Sequence, residues 1–270
     1  MSEIKLNKAP ARNRPAACLA AALTCAAITL CHPALAQNAQ STPVSIEASV
    51  SLEWDQTKGV YIAIGDAIVE QDDKRLKADE IIAHYDPQSE GRDLTDVTAT
   101  GSVVFINGDN VARGAKLDYI IGDDAYDLAG PQAIVTSPRG RMTATGSITY
   151  NANDIANKQV VAIGAAAYED DTGRVVEGER VVAFLGEDGS INTIDAEGEA
   201  KVITPKGIVA TADRLNYVAA TDRADLFGNV EIIDRDNIMR GDWAEVEFDK
   251  EISRLLSDNT GKRVTGVLKP

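Results

Sequence analysis

Cysteine is almost missing from this chain. Cys18, Cys25 and Cys31 are its three cysteines, all within the first 36 residues. The rest of the chain therefore needs no disulfide, runs no thiol chemistry and ligates no metal through sulfur. Histidine is as scarce, with only His32 and His84. A lone His84 beside Tyr85, without a partner motif, reads as a surface or packing residue rather than a general base. No nucleophile elbow, phosphate-binding glycine loop or metal-spaced His/Cys cluster occurs. The pairs Asp72-Asp73, Asp123-Asp124 and Asp170-Asp171 fall in turn sequences, where aspartate caps backbone and stays wet. Catalysis, a metal site and a cofactor are thus not expected. Basic charge is short as well: 27 Lys and Arg stand against 42 Asp and Glu, for a net charge of −15. Such a chain repels nucleic acid and anionic membrane surfaces, so no nucleic-acid partner is expected.

Long apolar runs are also lacking, with one exception at the start. Lys5, Lys8, Arg12 and Arg14 precede the run Ala16–Leu30, and the small residues Ala34 and Ala36 follow it. The run falls short of the roughly 20 residues needed to cross a bilayer. Residues 1–36 read as a signal peptide cleaved after Ala36, with an uncleaved anchor as the alternative. Residues 37–270 form the expected single folded domain. Its hold depends on hydrogen bonding and apolar burial alone.

What the sequence has is a repeat. Gly65 to Asp86 (GDAIVEQDDKRLKADEIIAHYD) aligns without a gap to Gly228 to Asp249 (GNVEIIDRDNIMRGDWAEVEFD). Gly65, Gly101, Gly130, Gly164, Gly198 and Gly228 open similar units roughly every 30 residues. An aromatic follows each, namely Tyr85, Tyr119, Tyr150, Phe184, Tyr217 and Phe248. Positions two before, two after and four after each glycine are almost all apolar or small. Examples are Ala63/Ala67/Val69, Ala99/Val103/Phe105 and Leu226/Val230/Ile232. Gln132 and Ile134 take the last two places after Gly130. The opposite parity is mixed and polar. That alternation is the pattern of antiparallel strands with one buried face. Turn sequences such as SPRG at 137–140 and PKG at 205–207 split each unit into strand, tight turn, strand. Asp79, Asp213 and Asp242 recur at matched positions, which points to a repeated structural role.

The fold class is therefore all-β. A strand pair cannot bury its face alone, so stacked pairs must close over a shared core. Barrel, sandwich and elongated open roll all satisfy this, and the short repeat favours the stacked, elongated form. The inner face is either a filled core or a seam loose enough for acyl chains. In the second case burial gains roughly 0.8 kcal/mol per CH₂.

PVSIE (Pro43–Glu47), GDAIVEQDDKRLKADEI (Gly65–Ile81), GNVEIIDRDNIMRGDWAEVEF (Gly228–Phe248) and the ending GKRVTGVLKP (Gly261–Pro270) resemble the OstA-like family of periplasmic lipopolysaccharide-transport proteins, the LptA type. The resemblance implies an elongated open antiparallel β-jellyroll of stacked strand pairs. It implies a non-catalytic periplasmic bridge that binds lipopolysaccharide along an apolar groove. Partners would be inner-membrane and outer-membrane components of the export machinery, met by edge-strand pairing, with head-to-tail self-association. An inner-membrane-anchored relative and a structural edge-pairing adaptor without lipid are the alternatives. Val44 and Ile46 match the family's opening strand, and Phe105 lies near an inner aromatic. Parity adds Ile62, Val69, Val103, Val230 and Ile232 to the expected groove. Lys74, Arg75 and Lys77 are candidates for basic groups at its mouth. The chain carries more units than a compact member of that family.

Overall fold

The structure is a computed structural model that describes residues 43–89, 92–152, 154, 158–250, 252–257 and 263–267. The expected signal peptide lies outside the described residues, as does part of the ending Gly261–Pro270. Eighteen strands account for most of the described chain. They are β1 (Ser45–Glu47), β2 (Ser51–Asp55), β3 (Val60–Gln71), β4 (Lys74–Tyr85), β5 (Leu94–Asn107), β6 (Asn110–Ile120), β7 (Ala125–Ala129), β8 (Ala133–Ser137) and β9 (Gly140–Ala144). There follow β10 (Ser147–Asn151), β11 (Gln159–Asp170), β12 (Val175–Leu185), β13 (Ile191–Ile203), β14 (Val209–Val218), β15 (Arg223–Asp234), β16 (Asn237–Glu247), β17 (Ile252–Leu256) and β18 (Thr265–Val267). Helix among the described residues is one 3-10 turn, Ala219–Thr221. The all-β expectation holds, and every described pairing is antiparallel, from β1 with β3 to β16 with β18.

The long strands do not run straight. β3, β5, β11, β13 and β15 each carry a bulge at the repeat glycine. There the glycine and its successor both adopt positive φ, as in Gly65 (86°) with Asp66 (42°) and Gly228 (79°) with Asn229 (48°). One extra residue bends the strand and re-aims its faces. The bulges lie side by side, so the whole sheet turns along one line. Facing them across the bulges in the neighbouring strands are Asp79, Glu179, Asp213 and Asp242. A Cβ at Gly101 would run into the Asp79 side chain, and one at Gly228 into Asp213. The repeated aspartates thus do serve a structural corner, as their spacing predicted.

The corner divides the sheet into two leaves. The first holds β1, β8, β9 and β18 with the strand ends that meet at turns such as 72–73 and 108–109. The second holds β2, β7, β10 and β17 with the ends that meet at turns such as 121–124 and 186–190. Apolar residues on the inner faces of both leaves form one core that includes Ala63, Ile81, Leu117, Leu128, Val181, Ile194, Leu226 and Ile232. Burying each large aliphatic side chain contributes roughly 1.5–3 kcal/mol. No pairing among the described residues joins β1 or β2 to β17 or β18, so the sheet is open rather than a closed barrel.

One unit departs from the parity expectation. After Gly130 it is Ala133 and Val135 that face the core, while Gln132 is exposed and Ile134 takes the outer parity. Pro131 breaks the strand there, and β7 and β8 meet the corner with one more residue than a continuous strand would. In the Gly164 unit the aromatic, Phe184, lies on the outer face. A register shift between Phe184 and Leu185 sets Leu185 in the inner row instead.

Candidate functional site

Register links the inner faces into lengthwise rows. On the first leaf Ile46 pairs with Val69, Val69 with Leu76, Leu76 with Phe105 and Phe105 with Ala112. The same row continues through Val135, Met142, Tyr168, Val176, Val202, Ala210 and Ile232 to Met239. Strand pairing thus holds an unbroken apolar strip from one edge of the sheet to the other. The facing row on the second leaf runs Trp54, Tyr61, Ala83, Val97, Tyr119, Tyr126, Tyr150, Val160, Ala183, Ile194 and Tyr217.

The leaves touch through aromatic contacts. Phe105 has Leu76 and Ala112 as its sheet neighbours, yet its ring centroid lies 5.2 Å from that of Tyr126 on the opposite leaf. Tyr126 stacks on Tyr119 at 4.4 Å with 3° between the planes. Just beyond this stack the second-leaf row drops to Val160 and Ala183, and Leu185 stands where the repeat elsewhere places an aromatic. The lost volume opens a cavity of about 700 Å³. Its walls are Phe105, Ala112, Val135, Met142 and Tyr168 on one side and Leu117, Tyr126, Leu128, Ile148, Ala183 and Leu185 on the other. Its rim is formed by turns 107–110 and 137–140 on the first leaf and by Asp188 and Gly189 on the second.

Polar contacts bridge the two lips. Lys74 Nζ donates to the Tyr119 hydroxyl at 2.9 Å and to Asp124 Oδ1 at 3.2 Å. The Tyr119 and Tyr126 hydroxyls donate to the same Asp124 oxygen. Burial works against the charges of Lys74 and Asp124, but these bonds outweigh it. The lysine is held above its usual range and the aspartate below. Burial first, then the bond to Asp124, pushes the Tyr126 hydroxyl far up. Arg174 repeats the device with Tyr217 and Asp222, at 2.6 Å and 2.8 Å. Between the two, Arg139 donates from both terminal nitrogens to the Asp188 carbonyl at 3.2 Å.

The residues expected in the groove divide unevenly. Ile46, Val69, Phe105 and Ile232 lie in the single first-leaf row, and Val103 and Val230 sit one row deeper. Only Phe105 of these lines the cavity. Val103, Val230 and Ile232 are sealed in close packing. Val44 is half-buried just before β1. Ile62 is misplaced by the expectation: it alternates with buried Ala63 and joins the outer face, opposite Glu53 and Ile82. Of the basic trio, Lys74 stands at the mouth. Arg75 and Lys77 face outward and pair with Glu70 and Asp66. Arg139 and Arg174 were missed. The spacing shared by Tyr119–Asp124 and Tyr217–Asp222 was the available signal. His84 lies on the outer face, its Nδ1 2.7 Å from Asp96. Among the described residues no cluster of His, Cys, Asp or Glu is arranged to hold a metal.

The family described as "LptA/(LptD N-terminal domain) LPS transport protein" matches the chain twice in succession, over residues 45–156 and 154–252. The chain belongs to that family. Its two matched spans meet between β10 and β11, beside the cavity, and the clamps at Lys74 and Arg174 fall one in each. No curated protein matches. Among solved structures, the chain is similar to LptH, the LptA homologous periplasmic component of the lipopolysaccharide transport device from Pseudomonas aeruginosa. That similarity covers 85% of this chain and 96% of LptH, at 14% identity and a TM-score of 0.20. So loose a superposition supports nothing that follows.

Proposed function

We propose that this member of the lipopolysaccharide-transport family is a non-enzymatic periplasmic carrier that holds lipopolysaccharide acyl chains between its two leaves. The cavity is the observation that carries this reading. Its volume lies within the range of roughly 300–1,000 Å³ usual for ligand pockets. Its walls are apolar, its rim is polar, and an apolar row leads from it along the first leaf. Each CH₂ buried there gains roughly 0.8 kcal/mol. Further chains of a multi-acyl lipid need the leaves to part elsewhere. The chain performs no covalent step, and Ile46, Val69 and Phe105 are the contacts proposed for passing cargo along the row.

The open edges serve the rest of the proposal. Among the described residues β1 and β2 pair with β3 alone, and Val50, Leu52 and Trp54 are exposed at that end. Inner-membrane and outer-membrane components of the export machinery, and further copies head to tail, would add strands there and at β18. Release into the periplasm would follow removal of residues 1–36; a mature protein that begins at Gln37 supports this, and one retaining Met1 favours the anchored alternative.

Photo-crosslinkers test the cargo reading. Placed at Phe105 or Met142 they capture lipopolysaccharide in cells, whereas one at outward Glu231 does not. Equal capture at all three removes the groove. An adaptor without cargo is the second reading, favoured by the sealed packing around Val230 and Ile232. Native mass spectrometry of protein from lipopolysaccharide-producing cells separates the two, since only the carrier brings lipid with it.

A further inference from the structure

The three cations at the mouth are not equivalent. Lys74 and Arg174 are each neutralised by a carboxylate, Asp124 and Asp222, and backed by tyrosine. Arg139 makes no ion pair with a carboxylate of the described residues. Among the described residues, both hydrogen bonds of its guanidinium go to one backbone carbonyl. The Asp188 carboxylate beside it is engaged by the backbone and hydroxyl of Ser190 at 2.9 and 2.6 Å. The guanidinium thus sits over the cavity rim with its charge least compensated, in a chain of net charge −15.

Its backbone is held while its side chain stays exchangeable. The Tyr168 hydroxyl donates to the Arg139 carbonyl at 2.9 Å. Pro138 and the Ser137 hydroxyl, which accepts from the Arg139 amide, fix the tight turn. A fork of donors aimed at a neutral carbonyl gains when an oxyanion replaces it, because charge-assisted pairs are shorter and about twice as strong.

We propose that Arg139 is the anion-recognising residue of the cavity. It takes a phosphoryl group at the head of an amphiphile whose chains lie between the leaves. In doing so it lets go of Asp188 and frees the lip between the two matched spans. This rests on the carrier reading and specifies its headgroup contact. An acidic protein can then accept an anionic lipid at one point while the rest of its rim repels it.

The test uses the exported chain and two amphiphiles of identical acyl length, each below its aggregation threshold. One is a lysophosphatidic acid and the other the uncharged monoacylglycerol; inorganic phosphate is the third probe. Calorimetry at about 150 mM salt reads affinity. Wild-type protein should bind the phosphorylated amphiphile about tenfold more tightly than the neutral one. Arg139→Gln should abolish that preference, bringing the two amphiphiles to equal affinity. Arg139→Lys should keep part of it, and Arg141→Gln, on the outer face, all of it. Retained preference in Arg139→Gln overturns the inference while the carrier reading stands. Failure of both amphiphiles to bind wild-type protein overturns both. Inorganic phosphate binding as tightly as the phosphorylated amphiphile would make this a free-ion site and also overturn the inference.

Discussion

Arg174 reaches across the slot to Asp222, with 2.8 Å between its Nη1 and the carboxylate. It stands just before β12, at the first-leaf end of that strand, and ends beside the 3-10 turn on the second leaf. Its guanidinium also lies 4.5 Å from the Phe248 ring centroid and 5.0 Å from that of Tyr217. Lys74, Tyr119 and Asp124 form the same clamp roughly one hundred residues earlier, as a tandem repeat of that period requires. Two clamps flank one weakly tied stretch of mouth, and the cavity lies beneath that stretch.

Removing the second clamp should therefore cost stability. Only 11% of the Arg174 side chain is exposed. Arg174→Ala leaves Asp222 with a tyrosine and no cation, at a cost of about 2 kcal/mol. Urea unfolding should show this, together with faster trypsin cleavage of the lips. An unchanged midpoint would mean that the leaves are held by the core alone.

The corner makes a different demand. Gly101 has φ of +77° and lies against Asp79. Gly101→Ala should destabilise by about 1–3 kcal/mol, chiefly through backbone conformation. Asp79→Ala should cost much less, and adding it to Gly101→Ala should recover little. Full recovery in the double variant would show that the carboxylate, rather than φ, sets the need for glycine.

Filling the cavity should separate stability from transport. Ile148 and Met142 face each other across it, one from each leaf. Ile148→Phe adds apolar volume into existing space, so strain is small and the thermal midpoint should hold or rise. Capture of lipopolysaccharide by a crosslinker at Phe105 should fall several-fold. Undiminished capture would place the cargo elsewhere.

Much of this was legible in the sequence because it rests on period two and on glycine. Ala63, Ala67 and Val69 share parity through Gly65 since the bulge residues take up the corner without changing which side is inner. The resemblance carried the family. What stayed hidden depended on leaf-to-leaf contact. Phe105 meeting Tyr126, or Arg174 meeting Asp222, joins residues far apart in sequence that no alternation pattern pairs. The Gly130 unit misled for a local reason: Pro131 cannot continue the ladder, so the following strand starts one position late. Ile62 failed against the alternation itself: three residues before Gly65, it has the opposite parity to Ala63 and Ala67 and so falls on the outer face.

The buried tyrosines should give the fold an alkaline limit. Burial is the largest cause that raises each of them. Tyr168 is pushed up to about 12 and Tyr217 to about 12, the latter although Arg174 pulls it down. Tyr126, bonded to Asp124, lies higher still. An unfolded tyrosine ionises near 10. With folded pKa values above unfolded ones, these groups lend their full stability below about pH 10. That contribution is lost as pH rises through about 12, because only the unfolded chain releases the protons there. The urea midpoint should accordingly hold from pH 8 to about pH 10 and drop from there to about pH 12, with late tyrosinate absorbance at 295 nm in the folded protein. Tyr217→Phe should flatten the drop, since phenylalanine has no proton to lose. A midpoint that is level across this interval, or an equally steep fall in Tyr217→Phe, would show that the tyrosines at the mouth are wetter than the packing of the two leaves makes them.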